Sequence, residues 1–278
     1  MTPKNSYATL LDFKNYIRSR GGEVANDALD DGVVEFLLEA ASAYVNDETT
    51  RTFYPQIETD YYSLPADREL WFDKDVQEIL SLLNGDGSSI TASAYQLMPR
   101  NATPRYGLKL KETSSVTWLT DTSGNSEHVI ALQSINGYHN QYSMAWKAVT
   151  TLAEALDTTE LGFDLTDAAL VQPGHILRIG NEITIVDSKA VNTVTVLQRG
   201  DNGSTAATAS NGATVYVWQT MKACQNACIE IANSAYRRRY GQSATSNTET
   251  VTAAGVVLSP RDIPTMAKTF IAQYEPLV

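Results

Sequence analysis

Sulfur and imidazole are scarce in this chain. Its 278 residues include two cysteines, Cys224 and Cys228, and three histidines, His128, His139 and His175. The histidines are scattered, and no His-Glu-x-x-His helix is present to hold zinc. Cys224 and Cys228 stand four apart on an expected helix, with no further soft ligands nearby, so they read as small buried apolar groups. So few cysteines also fit synthesis in a reducing compartment, the cytosol by default. Long apolar runs are missing too. No stretch approaches the roughly 18 residues of a membrane helix, and Met1–Leu11 lacks the basic-then-apolar order of a signal peptide, so a soluble protein is expected. Positive charge is short: 21 basic residues face 32 acidic ones, a net charge of -11. Coating duplex DNA relies on Lys and Arg displacing counterions, so this balance argues against that activity. The signatures of common chemistry are missing as well. There is no Gly-x-Ser-x-Gly elbow, P-loop or EF-hand loop, and Gly85-x-Gly87 is followed by a strand-like segment and reads as a turn. No catalytic residue, cofactor site or metal site is assigned, and the chain is not read as an enzyme.

What is present is pattern. Tyr7–Arg20 reads as an amphipathic helix with Leu10, Leu11, Phe13 and Ile17 on one side, stopped by Gly21-Gly22. A second helix, opened by Asp27 and Asp30, carries Val33, Phe36, Leu37, Ala40, Ala41, Tyr44 and Val45 and runs to about Thr52. Beyond Pro55 come short strands at Tyr61-Tyr62, Leu70–Phe72, Ile79–Leu83, Ile90, Tyr95–Met98, Leu108–Leu110 and Val129–Tyr138. Asn84-Gly85-Asp86-Gly87 is a hairpin turn signal. A long helix, Gln219–Tyr240, bears Met221, Cys224, Cys228, Ile231, Ala232 and Ala235 on one side, with Gly241 as its cap. Gln242–Ala254 reads as loose, and Ile263–Tyr274 as a last helix.

Between Trp146 and Trp218 the pattern changes. Ile176–Ile179, Ile183–Val186, Val194–Leu197 and Thr214–Val217 alternate with period two. They are separated by Pro173-Gly174, Gly180-Asn181, Asp201-Asn202-Gly203 and Asn211-Gly212, turn pairs that tolerate positive φ. The expectation is an inserted small antiparallel, barrel-like β domain over residues 149–217, in a discontinuous domain made of residues 1–148 and 218–278. The fold class expected is α+β: a helical bundle core with a β-hairpin extension, plus the insert.

Arg237-Arg238-Arg239 closes the long helix, where positive charge complements the negative dipole end. Three in a row also suit gripping a partner's carboxylates or a phosphate backbone. Arg199-Gly200-Asp201 spells an adhesion tripeptide, although Asn202-Gly203 makes ordinary turn chemistry sufficient.

Taken in order, several short motifs carry a resemblance. They are Tyr7-Ala8-Thr9-Leu10 with Phe13 and Tyr16, Leu37–Ser42, Arg51–Pro55, Tyr61-Tyr62, Leu70–Asp73, Leu83–Gly87, Pro99–Pro104, Gly137-Tyr138-His139 with Trp146, the Ala-rich helix ending in arginines, and Ile263-Pro264. Together they resemble the head-to-tail connector (adaptor, head-completion) proteins of tailed bacteriophages. The insert is similar to a small β add-on of some phage virion proteins. The resemblance implies a structural protein of the virion neck, made in the host bacterial cytoplasm. Its subunits would form a ring, commonly of twelve, that docks under the portal. The ring would contact neighbouring copies, a tail terminator or next neck protein, and the capsid through the insert. Genomic DNA would pass the lumen without specific binding, which suits an acidic wall. The interface residues it implies are Arg237, Arg238, Arg239, Phe270, Ile271, Tyr274, Leu277 and Val278. Two rival readings are a host-surface or carbohydrate-binding module carried by the insert, and a hydrolase using dispersed carboxylates.

Overall fold

A computed structural model describes residues 4–20, 28–239 and 263–275. Most of it is β, in two antiparallel sheets. The first contains β1 (Gln56–Tyr62), β2 (Glu69–Leu83), β3 (Tyr95–Met98), β4 (Arg105–Leu110) and β5 (Ile130–Asn136), in the order β1-β5-β2-β4-β3. The helical bundle core expected from the sequence is therefore not the body of this molecule. Four helices, α1 (Leu10–Ser19), α2 (Ala28–Thr49), α3 (Lys222–Arg239) and α4 (Thr265–Tyr274), pack on one another at one side. The reason lies in where apolar surface is buried. Helical periodicity announces itself over long windows, while strands bury apolar surface in short runs, typically of about 5–6 residues.

Strand β2 illustrates the difficulty. It is a single strand of 15 residues, read from sequence as two because Asp73-Lys74-Asp75 interrupts the apolar pattern. Register shifts between Trp71 and Val76 and between Val76 and Glu78 absorb that polar stretch, as bulges do. The strand pairs with β4 through its first half and with β5 through its second. Asn84–Gly87 turns as expected, with Gly87 N–H donating to the Asn84 carbonyl at 2.9 Å.

The second sheet holds β6 (Trp146–Thr151), β7 (Gly162–Asp164), β8 (Ile176–Ile179), β9 (Glu182–Ala190), β10 (Thr193–Val196) and β11 (Thr214–Trp218), in the order β6-β11-β8-β9-β10-β7. Its outer strands meet. Leu152 bridges Leu165, Ala153 N–H donates to the Asp164 carbonyl at 2.8 Å, and Thr166 N–H to the Thr151 carbonyl at 2.9 Å. The sheet thus curls into a barrel. Leu177, Ile179, Val186, Val194, Val196, Val215 and Val217 point inward onto Phe163 and Leu165. Alternation sends the intervening residues outward, and Ile176, Ile183, Ile185 and Trp218 pack there against Ile57 and Ile135 of the first sheet. β6 and β7 escaped the sequence reading because Trp146–Thr151 is polar and partly exposed and β7 has only 3 residues.

Phe53 sits where helices and sheets meet. Fully buried, it packs against Tyr7, Tyr138, Phe270 and Tyr274 with ring centroids 5.4–5.8 Å apart. Its backbone is pinned at both ends: its N–H donates to the Tyr7 hydroxyl at 2.7 Å, and its carbonyl accepts from the Trp218 indole at 3.1 Å.

Candidate interaction surfaces

The arginine run ends α3. Arg237 is exposed, while Arg238 and Arg239 are the last two residues of the helix. Arg237 lines a shallow hollow of 350 Å³ with Tyr16, Arg20, Glu230, Asn233 and Met266. Here α1, α3 and the start of α4 converge. Arg20 stacks over the Tyr16 ring at 4.5 Å and reaches Glu230 at 3.6 Å, and the Tyr16 hydroxyl donates to the same carboxylate at 3.3 Å. Burial and the Glu230 charge raise the Tyr16 pKa, so the phenol stays a donor. Asn233 is nearly buried, and its Oδ1 has no partner among the described residues. With Met266 65% exposed, the hollow joins an apolar knob to two guanidinium groups, a combination suited to a partner's carboxylate beside an apolar side chain.

The C-terminal anchors sit differently from the expectation. Phe270 and Ile271 are buried in the helical cluster and Tyr274 is half-buried against Phe53 and Tyr138. They form part of the core of the subunit as folded, so they are not free to order on a partner. Leu277 and Val278 lie outside the described residues, as do Gly241 and the Gln242–Ala254 stretch.

The junction between the two sheets holds a polar lock that the sequence reading missed. Arg178 on β8 donates to both oxygens of Glu78 on β2, at 2.9 and 3.3 Å. The Tyr142 hydroxyl donates to Glu78 at 2.7 Å and accepts from the Trp146 indole at 3.3 Å. Burial opposes ionisation of Glu78, but its hydrogen bonds from Arg178 and Tyr142 outweigh that and leave its pKa below the ordinary value. At the far end Asn202 exchanges amide hydrogen bonds with Asn5 at 2.8 and 2.9 Å, and its carbonyl accepts from Ile57 N–H at 2.8 Å. Gly203 follows with φ +76, and a Cβ there would lie 2.0 Å from the Ile57 carbonyl oxygen. Trp146 and Trp218 face each other in register with ring centroids 5.0 Å apart, and His139 meets Trp218 at 5.5 Å.

Other chemistry-bearing residues are buried or paired within the fold. Cys224 and Cys228 are free and fully buried, and burial pushes the Cys224 thiol well above its ordinary pKa. Arg199 of the adhesion-like tripeptide turns inward. It clamps Glu182 through two bonds of 2.7 Å and donates to the Asp157, Glu160 and Ala207 carbonyls. Asp201 is fully buried, with Lys4 at 3.0 Å. Of the insert's aromatics, Phe163 and Trp218 are buried and only Tyr216 is half-exposed, so no sugar-stacking face is formed by them. One hollow of 440 Å³ gathers Glu58, Asp73 and Asp75. Burial raises the Asp75 pKa against the pull of Arg51, while hydrogen bonds from Lys74 and Asn136 overcome burial and lower that of Glu58. Both are spoken for: Asp75 by the Arg51 fork at 2.6 and 2.8 Å, Glu58 by Lys74 at 2.8 Å. Among the described residues no cluster of three or more His, Cys, Asp or Glu is placed to hold a metal, and no helix is long and apolar enough to cross a membrane.

No protein-family model and no curated protein matches the chain.

Proposed function

We propose that this protein is a ring-forming structural subunit of a phage neck, docking under the portal and letting DNA pass through its lumen. The observation that carries the reading is the ordered series of connector-like motifs from Tyr7 to Pro264. Three further features support it. The barrel is joined to the first sheet by an apolar cluster and the Glu78–Arg178–Tyr142 lock, which suits a wall that must bear load. The net charge of -11 suits a channel that does not retain DNA. The hollow with Arg20, Arg237 and Met266 offers a cationic, partly apolar contact for the portal or a neighbouring copy.

The buried state of Phe270 and Ile271 moves the proposed contact from the C-terminal tail to that hollow. The test is the mass of the purified protein, alone and with portal, by light scattering, together with imaging of the particles. A ring that appears on the portal and is weakened at least tenfold by the double charge reversal Arg20→Glu/Arg237→Glu is the expected result. A protein that binds neither portal nor itself overturns the reading.

A further inference from the structure

The first sheet has a gap that the neck reading does not use. β4 pairs with β2 only as far as Val76–Arg105, and the chain returns to that side of β2 where Ile90 N–H donates to the Leu82 carbonyl. From Gln77 to Ser81 the described residues supply a strand on the β5 side alone. A cavity of 400 Å³ opens there, walled by Gln77, Glu78 and Ile79 of β2, Ala92, Tyr95 and Leu97 beside it, and Arg100 and Arg105 at its end. That volume is in the range of sites that enclose a ligand.

Its charge is uncompensated. Elsewhere the guanidinium groups of Arg51, Arg178 and Arg199 meet carboxylates at 2.6–2.9 Å. Arg100 is exposed, and no carboxylate lies within ion-pair distance of Arg100 or Arg105 among the described residues. Arg105 donates through Nη1 to the Pro99 carbonyl, but its Nε is buried without an acceptor. The Glu78 carboxylate adds no net negative charge, since Arg178 already neutralises it. Gln77 is 4% exposed, and its amide is fixed by Nε2–H bonds to the Gly137 and His139 carbonyls, which leaves Oε1 buried and unbonded.

We propose that this gap binds the carboxyl end of an extended peptide whose last side chain is apolar. The peptide would add its backbone along the open edge of β2, seat its terminal carboxylate between Arg100 and Arg105, and lay its last side chain on Ile79, Ala92 and Leu97. Strand addition supplies the main-chain hydrogen bonds, and the guanidinium pair supplies the end-specific contact. The site is separate from the hollow at α3 and stands whether or not the chain forms rings.

The probe is a fluorescein-labelled Ser-Thr-Ser-Thr-Val-Leu peptide with a free carboxyl end, compared by fluorescence anisotropy with the same peptide amidated. The free acid is expected to bind at least about tenfold tighter, a difference of one charge-assisted contact. Arg100→Ala, at an exposed side chain, should remove most of that preference while leaving the far-ultraviolet circular dichroism unchanged, and Arg100→Lys should restore part of it. Equal binding of acid and amide overturns the proposal. So does absence of binding up to about 1 mM, or complete displacement by inorganic phosphate at concentrations that leave the amide unaffected, which would mark a plain anion site.

Discussion

Arg199 and Glu182 show how a surface-looking motif can be an internal strut. Their side chains are 5% and 3% exposed, and the carboxylate also accepts from the backbone N–H of Gly200 and of Ala207, both at 3.0 Å. Burial works against ionisation of Glu182, yet the Arg199 hydrogen bonds and those amides lower its pKa below the ordinary value. Removing one member of such a pair strands a buried charge. Arg199→Ala should therefore destabilise the fold by about 3 kcal/mol, the low end of the range for breaking a buried pair, because two amide donors to Glu182 remain. Urea unfolding of the variant measures this. A loss no larger than the ~0.5 kcal/mol typical of surface changes would mean that the pair is solvated and not a strut. The tripeptide's one acid is internal as well: Asp201 is fully buried, and its ion-pair partner Lys4, 3.0 Å away, is half-exposed.

At the scale of elements, the insert behaves as a docked module. It has its own interior, Phe163, Leu165, Val194 and Val215 among others, yet its outer face covers Ile57 and Ile135. Replacing residues 149–217 with a short linker should therefore expose these side chains and remove Arg178 from Glu78. The expected product binds a hydrophobic dye and unfolds non-cooperatively; a sharp transition with unchanged midpoint would show that the first sheet does not need the barrel. The sequence alone marks residues 149–217 as a separate inserted domain. It had made the turns at Gly174, Gly180, Gly203 and Gly212 readable, because each takes a positive φ that glycine adopts at little cost. The apolar side of α3 was equally legible, with Cys224, Cys228, Ile231, Ala232 and Ala235 all buried, as is Met221 just before it. The docking face was hidden because β8 and β9 are apolar on both faces, and period-two alternation names a buried face only when the other is polar. The Glu78–Arg178 lock was also out of reach. One hundred residues separate the partners, and nothing local to either marks the pairing.

For the whole molecule, acidification is the test that sums these buried groups. His139 lies at the seam between the sheets and α3: its Nδ1 accepts from Gln141 N–H at 3.1 Å, and its Nε2 lies 3.1 Å from the Gln219 carbonyl. That pattern fixes the neutral Nε2–H tautomer, and protonating Nδ1 would set two donors against each other. Burial lowers its pKa below the ordinary 6.5, against the pull of the Gln219 carbonyl. His175, whose Nδ1 accepts from Gln172 N–H at 3.1 Å, is lowered by burial and by Lys189 and Lys222 against the opposing pull of Asp12. In both cases the unfolded chain binds the proton more readily, so stability is lost as pH falls below 6.5 and the loss levels off once the folded pKa is passed. Glu58, Glu78 and Glu182 have lowered pKa values, so they add a second loss as pH falls below their ordinary 4.5, while Asp75, raised by burial, works in the opposite direction there. Denaturant midpoints from about pH 7.5 to about pH 3 should thus show two descending limbs. His139→Gln/His175→Gln should flatten the upper limb and leave the lower one in place. An upper limb that survives the double substitution would place the proton-linked groups elsewhere, and the seam beside α3 would then not be the part of the molecule that yields first to acid.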